Sequence, residues 1–261
     1  MEKLSTKILK DKIIQGLNEH DFDNKLLLLS KNPSEEVIYY KNVIIKRCEE
    51  FGIEYVDKEF KNETNEEILD FINSYRDNDG FIVLSPFGDG EDLTILKENI
   101  KLKDLDSFTY KSQGRIFDGY KKALPATARA IVRFMDSEKV DYKGKNIVIA
   151  NNTNIIGRPL ATYLAIQRAS VRIINSLTKD SKTIIRNADI FISAIGKAEY
   201  YDKSYFKDGS FIIDVGTSYK NGKIIGDVDV DSIADLDIKY LGSRNGIGSI
   251  TTITLVEGLI D

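Results

Sequence analysis

The fold is decided by the stretch NNTNIIGRP, Asn151 to Pro159, which follows the apolar run NIVIA at Asn146 to Ala150. The run predicts a buried β-strand, and the residues from Ile155 onward have the apolar spacing of an α-helix. A strand that turns directly into a helix points backbone N–H groups and the positive end of the helix dipole at one place, where an anion binds. We therefore expect dinucleotide phosphates at this turn. The spacing is not G-x-G-x-x-G, because only Gly157 is retained, so the turn alone is a weak signal.

Composition narrows the class of protein. The 261 residues carry a formal net charge of −4, with acidic and basic side chains interspersed. Such a surface offers no basic stripe to nucleic acid and no field that attracts a membrane. One cysteine, Cys48, and one histidine, His20, provide neither a disulfide nor a Cys/His metal cluster. No apolar run approaches the roughly 20 residues that cross a bilayer, and MEKLSTKILKDK at the start lacks the apolar core of a secretory signal. We expect a globular cytoplasmic protein that binds no nucleic acid, membrane or metal.

Strands and helices alternate in two groups along the chain. The pattern predicts, in order, a helix at 3–17, a strand at 25–30, a helix at 37–51 that Ser34 caps, a strand at 53–56, a helix at 66–75 and a strand at 80–85. After a helix-like region at 117–135, it predicts strands at 146–150, 171–175, 190–194 and 210–216, helices at 155–169 and 182–187, a tight turn at Asn221-Gly222 and a last helix at 251–260.

This alternation predicts an α/β fold with parallel strands in two domains. We expect an N-terminal αβα domain of residues 1–116 with the C-terminal helix 250–261. A Rossmann-type dinucleotide-binding domain of residues 117–249 follows, and the two domains flank a cleft. Ligands of such sheets bind at the carboxyl ends of the strands.

With these elements in order, the chain resembles the methylenetetrahydrofolate dehydrogenase/cyclohydrolase family, of the bifunctional FolD type. The resemblance covers nearly the whole chain and is carried by GFIVLSP at Gly80–Pro86, KDLDS at Lys103–Ser107, LPAT at Leu124–Thr127, NIIGRPL at Asn154–Leu160, SAIGKA at Ser193–Ala198, IIDVGTS at Ile212–Ser218, GDVD at Gly226–Asp229 and NGIGSIT at Asn245–Thr251. It implies that a folate lies beside a nicotinamide and passes a hydride to it. It also implies hydrolysis of the methenyl product and a homodimer paired through the nucleotide domain.

The sequence departs from the family where hydrolysis takes place. The family moves a proton with a lysine one helical turn after a tyrosine, and a glutamine at a strand end holds that lysine. Aligned through RCEEFG at Arg47–Gly52, the tyrosine is Tyr40, the lysine position is Ile44 and the glutamine position is Leu84. Neither apolar side chain can transfer a proton.

Nearby positions do not supply the missing lysine. Lys41 lies about 100° around the helix from Tyr40, and Lys46 lies six residues beyond it. An ungapped count from Asn32-Pro33 instead places Ile38 and Asn42 at the tyrosine and lysine positions. Both alignments therefore lack the lysine, and the family's proline-containing loop here reads Gly242-Ser243-Arg244.

Two residues are the candidate catalytic groups. The resemblance assigns Asp106 to the pterin and Tyr40 to the folate site. For Tyr40, the alternative is a helix tyrosine with a packed ring and a solvent-exposed hydroxyl. For Asp106, the alternative is a solvated or capping acid in a loop, a role that Asp104 could also fill.

The candidate cofactor-binding residues lie at the predicted strand ends and in the family-like loop before the last helix. They are Asn151, Thr153, Ile155, Gly157, Arg158, Ser176, Thr178, Ala194, Gly196, Gly216, Thr217 and Thr251. At Gly157, Arg158 and Thr153 the alternative is an ordinary helix start, and at the loop glycines it is ordinary chain turning.

The cofactor is NADP or NAD. No acidic residue stands at the tip of the strand near Asn175, where a carboxylate would accept from the ribose 2′-hydroxyl of NAD. Ser176 with Arg158 or Lys179 would instead accept a 2′-phosphate, which slightly favours NADP.

Our central hypothesis is an oxidoreductase that transfers a hydride from 5,10-methylenetetrahydrofolate to NAD(P), with cyclohydrolase activity weak or absent. Two alternatives stay open. One is a catalytically eroded relative that only binds folate or nucleotide, and the other is a dehydrogenase of another small substrate.

Overall fold

The structure, a computed structural model, describes residues 1–88, 90–220 and 223–260, with the backbone alone at 219–220. The strands are β1 (Glu2–Lys3), β2 (Lys25–Lys31), β3 (Glu54–Phe60), β4 (Gly80–Val83), β5 (Lys103–Asp104), β6 (Asn146–Ala150), β7 (Ser170–Ile174), β8 (Ile190–Ser193), β9 (Phe211–Asp214), β10 (Ser218–Lys220), β11 (Lys223–Ile225) and β12 (Lys239–Leu241). The helices are α1 (Lys7–Asn18), α2 (Glu35–Glu50), α3 (Asn65–Asn73), α4 (Thr94–Asn99), α5 (Tyr110–Phe117), α6 (Ala126–Ser137), α7 (Gly157–Ile166), α8 (Ser181–Arg186) and α9 (Gly248–Glu257).

The chain forms two compact units. We call Asp11–Ala126 with Thr252–Asp261 the N-terminal unit, and Met1–Lys10 with Thr127–Thr251 the C-terminal unit. Each unit contains a parallel sheet, so the predicted α/β class is confirmed.

The sheet of the N-terminal unit has the order β3-β2-β4-β5. Its inner strand β2 contains four consecutive leucines, Leu26 to Leu29, and all four are fully buried. A strand buried on both faces needs such a continuous apolar run, because side chains alternate between the faces. On α2, Ser34 accepts a hydrogen bond from the Val37 N–H, as its capping position predicted.

The sheet of the C-terminal unit has the order β1-β12-β9-β8-β6-β7, and β10 and β11 form a separate antiparallel ribbon. All neighbouring strands of the larger sheet are parallel. Because parallel strands end at the same edge, the loops after β6, β7, β8 and β9 are gathered there.

The N-terminal residues belong to a different unit from the one expected. The prediction placed residues 1–116 together, but Met1–Lys10 groups with the C-terminal unit. The reason is that β1 adds to the edge of the larger sheet, pairing Glu2 with Lys239. Thr6 is buried and donates its hydroxyl to the Asn245 carbonyl at 2.7 Å. The other boundaries fall at Ala126/Thr127 and Thr251/Thr252, where we expected 116/117 and 249/250.

Several element boundaries also differ from the pattern. The first helix begins at Lys7 and not at Lys3, because Glu2 and Lys3 form β1 and residues 4–6 connect that strand to the helix. The helix-like region predicted at 117–135 is α-helical only from Ala126, where α6 begins, and the helix α5, which ends at Phe117, was not predicted. The strand β12 and the short helix α4 were not predicted, and Asn221-Gly222 lies outside the described residues. Among the helices of the described residues, none is long and apolar enough to cross a membrane.

Candidate active site

Tyr40 and Asp106 come together in the N-terminal unit. Tyr40 lies on α2 and is partly buried, and Asp106 follows β5. Burial raises the pKa of the Tyr40 phenol, and the negative charge of Asp106 raises it further. The phenol is therefore neutral at physiological pH and can donate a hydrogen bond.

Asp104 and Asp106 both accept hydrogen bonds from backbone N–H groups, so each fills the capping role that the sequence left open. The carboxylate of Asp104 organises its own loop, accepting from the N–H groups of Asp106, Phe108 and Thr109 at 2.7–3.2 Å. It also accepts from the Thr109 hydroxyl at 2.8 Å. The carboxylate of Asp106 accepts from the Ala126 N–H at 2.6 Å, at the first residue of α6.

Ser107 holds this loop in an unusual conformation. Its φ is 63°, in the left-handed region that disfavours a side chain, and its hydroxyl donates to the Ala123 carbonyl at 2.5 Å. The loop that carries Asp106 is thus tied to the segment that leads into α6.

Ile44 and Leu84 are core residues. Ile44 is 0% exposed on α2, and Leu84 is 2% exposed directly after β4. Ile44 belongs to the buried face of α2 with Val37, Lys41 and Cys48, at the spacing that places residues on one side of a helix. Burial of apolar side chains at these two positions stabilises the unit and provides no group that exchanges protons.

Lys41 forms an ion pair with Asp57. Its side chain is buried, and its Nζ lies 2.9 Å from Asp57 Oδ1 on β3. A buried lysine held in this way is fixed in position by its partner. That Lys41 does not take the place of the missing lysine stays a prediction, which this ion pair supports.

In the C-terminal unit, Asn151 organises the turn between β6 and α7. Its Oδ1 accepts from Thr153 N, Thr153 Oγ1 and Gly157 N at 2.7–3.0 Å. Its Nδ2 donates to the Ala194 carbonyl at 2.7 Å, which ties this turn to the loop after β8. Four of the predicted cofactor-binding residues are thus brought together through one amide side chain.

The N–H groups expected to receive an anion are partly used by the protein itself. The Gly157 N–H donates to Asn151, the Arg158 N–H donates to the Thr153 carbonyl at 3.1 Å, and Pro159 has no N–H. The exposed guanidinium of Arg158 stands at the helix start instead, where Asn152 Oδ1 and Asn154 Oδ1 accept from it at 3.0 and 3.4 Å. Charge on Arg158 and the helix dipole remain to attract a phosphate.

Gly157 is required by the backbone. A Cβ at this position would lie 1.8 Å from the Asn151 carbonyl oxygen. The absence of a side chain lets α7 begin against the end of β6, and Ile155, two residues before Gly157, is exposed.

In the loop after β7, side chains form hydrogen bonds with the backbone of the same loop. Asn175 Oδ1 accepts from the Leu177 N–H, and Thr178 Oγ1 accepts from the Asn175 N–H, both at 2.9 Å. Ser176 is exposed at the tip, and Leu177 beside it is 88% exposed. The hydroxyls of Ser176 and Thr178 are therefore the polar groups that this loop presents.

The loops after β8 and β9 meet at Asp227, which the sequence analysis did not single out. Asp227 is fully buried, and its carboxylate accepts from Ser193 Oγ, Ile195 N and Lys197 N at 2.6–2.8 Å. Gly196, between the last two donors, has a φ of 66°. The motif GDVD at Gly226–Asp229 contributed to the family resemblance, but the sequence around Asp227 did not indicate what its carboxylate contacts.

A second buried carboxylate, Asp214, supports the first. Its two oxygens accept from the N–H groups of Asp227 and Val228, both at 3.0 Å, and from the Tyr240 hydroxyl at 3.2 Å. Burial is the main reason that the pKa of Asp214 is raised to about 6.

Thr251 and Thr217 complete the predicted set. Thr251 is buried on α9 and donates its hydroxyl at 3.0 Å to the carbonyl of Ile247, the residue directly before that helix. Thr217 is exposed directly after Gly216. Within residues 1–88, 90–220 and 223–260, no group of three or more His, Cys, Asp and Glu side chains is placed to hold a metal ion.

Comparison with known proteins now decides the family. Residues 125–261 match the tetrahydrofolate dehydrogenase/cyclohydrolase NAD(P)-binding domain. The bifunctional protein FolD of Clostridium beijerinckii is 34% identical, over 84% of this chain and 80% of that protein. The chain belongs to the tetrahydrofolate dehydrogenase/cyclohydrolase family.

Further members of this family agree over almost the full length. The bifunctional protein FolD of Clostridium botulinum strain Okra is 32% identical over 94% of this chain and 89% of that protein. The crystal structure of the bifunctional FolD enzyme from Campylobacter jejuni has a TM-score of 0.90, at 29% identity, and covers 100% of this chain and 97% of that chain.

The C-terminal unit, which contains most of the residues matched to the NAD(P)-binding domain, presents three polar groups suited to a nucleotide. Arg158 presents a cation at the start of α7, and Ser176 and Thr178 present hydroxyls after β7. These groups suit a ligand that combines phosphates, sugar hydroxyls and an amide ring. The residues therefore fit NADP or NAD.

Proposed function

We propose that this protein oxidises 5,10-methylenetetrahydrofolate to 5,10-methenyltetrahydrofolate with NAD(P), and that its cyclohydrolase activity is weak or absent. The proposed loss of cyclohydrolase activity rests on one observation. Ile44 and Leu84, where the family pattern has the proton-moving lysine and its supporting glutamine, are buried apolar residues, whereas Tyr40 and Asp106 are retained and lie together.

Oxidation of the substrate needs little acid–base chemistry from this chain. The nicotinamide, when bound, supplies the hydride acceptor. Asp106 offers a carboxylate oxygen to the N–H donors of a pterin, and the neutral Tyr40 phenol offers a hydrogen bond and a flat ring. These residues bind and orient the folate, which is the larger part of what hydride transfer requires.

Hydrolysis of the methenyl product requires more acid–base chemistry from the protein than the oxidation does. Water must lose a proton as it attacks the methenyl carbon, and a positioned base typically accelerates such a step by about 10²–10⁴-fold. Ile44 cannot accept that proton, and Lys41 is paired with Asp57. The rate of hydrolysis should then approach the uncatalysed rate.

For the cofactor we propose a slight preference for NADP. The loop after β7 presents Ser176 and Thr178, and the strand tip at Asn175 carries no carboxylate to accept from a ribose 2′-hydroxyl. A 2′-phosphate would find the cations of Arg158 and Lys179 in this region of the sequence. The ratio of kcat/KM with NADP to that with NAD measures the preference.

The deciding experiment is an assay of the purified protein with methylenetetrahydrofolate and each cofactor in turn. We expect methenyl absorbance to accumulate in step with cofactor reduction, because the product is not hydrolysed. Reactions without cofactor, and with added methenyltetrahydrofolate, measure the background and the hydrolysis separately. No absorbance rise with either cofactor contradicts the dehydrogenase, and prompt loss of the methenyl absorbance contradicts the missing cyclohydrolase.

The same preparation tests the two alternatives. Calorimetric binding of a folate or NAD(P) without turnover identifies an eroded binding protein. Thermal stabilisation by small acids but not by pterins identifies a dehydrogenase of another substrate.

The homodimer that the family resemblance implies is also proposed here. Sedimentation or light scattering measures the mass in solution, and a single chain of 29.5 kDa at micromolar concentration contradicts it.

A further inference from the structure

The feature that carries an inference beyond the proposed reaction is the carboxylate of Asp227. It makes three hydrogen bonds to the residues that end β8 and continue from it, Ser193, Ile195 and Lys197. Asp227 lies 34 residues from Ser193 in sequence and is fully buried. Hydrogen bonds to a charged acceptor are the stronger kind, so this side chain fixes the conformation of the loop 194–197.

The surroundings are shaped around this carboxylate. A Cβ on Gly216 would lie 2.1 Å from the Asp227 carboxyl group, and a Cβ on Gly226 would lie 2.1 Å from Asp214 Oδ2. Glycine at both positions lets the chain after β9 pass directly over the two carboxylates. Asp214 in turn holds the backbone N–H of Asp227 at 3.0 Å.

The loop so fixed contains two of the candidate cofactor residues, Ala194 and Gly196, and a third, Gly216, lies against the same carboxylate. The same loop is tied to the turn before α7, because Asn151 Nδ2 donates to the Ala194 carbonyl. Asp227 itself is buried beneath these residues and exposes no surface to a ligand.

We propose that Asp227 is a positioning residue for the nicotinamide cofactor, acting by holding the loop 194–197 in its binding conformation. The proposal rests on the proposed function in one respect, since the loop is taken to contact NAD(P). A loop that is already ordered loses less conformational entropy when the cofactor binds, so affinity depends on the residue that orders it. The carboxylate does not touch the reacting atoms.

The test compares Asp227→Asn with the wild type and with Asp202→Asn. Asp202 is a matched control, because it is an exposed aspartate of the same unit, five residues beyond Lys197, whose carboxylate accepts from the Ser204 N–H of its own turn at 2.8 Å. An amide at position 227 cannot accept all three donors and faces at least one N–H or O–H with its own N–H₂.

Two measurements are made without folate. Titration with NADP and NAD should show affinity weakened about tenfold in Asp227→Asn, equivalent to about one strong hydrogen bond, and unchanged in Asp202→Asn. Amide hydrogen exchange followed by NMR should be faster at Ile195 and Lys197 in Asp227→Asn. The Val215 amide, which donates to the Ser193 carbonyl at 2.8 Å, should exchange as in the wild type.

Turnover then separates positioning from catalysis. The KM for the cofactor should rise about tenfold in Asp227→Asn while kcat at saturating cofactor changes by about threefold or less. If Asp227→Asn does not fold, Ser193→Ala removes one donor and leaves the carboxylate in place. That variant should weaken the cofactor affinity by about threefold, less than the loss of a charged partner would.

Wild-type affinity in a folded variant whose Ile195 and Lys197 amides exchange faster overturns the proposal. Unchanged exchange at both amides overturns it as well, because the carboxylate then does not order the loop. A wild type that binds NAD(P) but never oxidises methylenetetrahydrofolate contradicts the proposed function and leaves this inference standing.

Discussion

The proposed loss of hydrolysis depends on Ile44 and Leu84. Both are almost fully buried, so their replacement by polar residues adds a polar group to a space that apolar side chains now fill. An unpaired buried amine costs stability, and a glutamine carbonyl nearby reduces that cost by accepting a hydrogen bond.

Restoring both side chains should restore some hydrolysis. The variant Ile44→Lys with Leu84→Gln is expected to hydrolyse methenyltetrahydrofolate at least tenfold faster than the wild type, which is less than the about 10²–10⁴-fold that a well-positioned base contributes. The measurement is the decay of methenyl absorbance, with circular dichroism to show folding.

The matched control is Val43→Lys with Leu84→Gln. It adds the same groups, but position 43 lies about 100° around α2 from position 44. A folded Ile44→Lys, Leu84→Gln variant that hydrolyses no faster than this control contradicts the alignment through Arg47–Gly52.

Asp104 and Asp106 provide a second prediction at the scale of single residues. Asp104→Asn should lower the free energy of unfolding by about 2 kcal/mol, because an amide cannot accept the four hydrogen bonds that the carboxylate accepts. Asp106→Asn should leave stability nearer the wild type and reduce kcat/KM for the folate about 10–100-fold, the loss of a hydrogen bond to a charged acceptor.

Urea unfolding and steady-state kinetics measure the two effects separately. A larger loss of turnover in Asp104→Asn than in Asp106→Asn, with both folded, would reverse the assignment of the two carboxylates.

At the scale of elements, the start of α7 depends on Gly157. The variant Gly157→Ala places a methyl group 1.8 Å from the Asn151 carbonyl oxygen and 2.6 Å from its carbon, so the backbone must move. Overpacking of this kind costs about 1–3 kcal/mol. We expect a lower melting temperature and weaker NAD(P) binding, since Asn151, Thr153 and Arg158 all move with the turn.

Gly16→Ala is the control for this prediction. Gly16 lies on the exposed face of α1, where a Cβ would meet nothing within 4 Å. Alanine there should raise stability by about 0.5–1 kcal/mol, because it restricts the unfolded chain more than glycine does. Equal melting temperatures for the wild type and Gly157→Ala would contradict the close approach.

At the scale of the whole molecule, the buried Asp214 makes stability depend on pH. Its folded pKa of about 6 lies above the ordinary value of 3.8, chiefly because of burial. Between these values the folded protein binds a proton that the unfolded chain releases. The stabilisation is therefore complete below about pH 4 and is lost as the pH rises through about 6.

The prediction compares the wild type with Asp214→Asn, which has no proton to release. The unfolding free energy of the wild type relative to the variant should fall by up to about 3 kcal/mol between pH 4 and pH 7. Urea titrations at several pH values measure it. A constant difference, or one that grows with pH, contradicts the raised pKa.

Much of the fold follows from local patterns. The apolar run of β6 was predicted at its observed bounds, Asn146–Ala150, and the helices of the α/β alternation were predicted to within a few residues, because burial of one face imposes a period on the sequence. The strand β1 could not be predicted, since two exposed residues, Glu2 and Lys3, carry no apolar pattern and join the sheet only by pairing with β12.

The sequence by itself determined the family, the α/β class and the absence of lysine and glutamine at positions 44 and 84, because these depend on residue identity and order. Only the tertiary structure decided which aspartate organises the loop after β5, and that Asn151 uses the N–H of Gly157. It also showed that Asp227 holds the loop after β8, across 34 residues of chain. The reason is that a hydrogen bond depends on the positions of donor and acceptor in space. When the two lie in distant segments of the chain, the local sequence around either one does not indicate the contact.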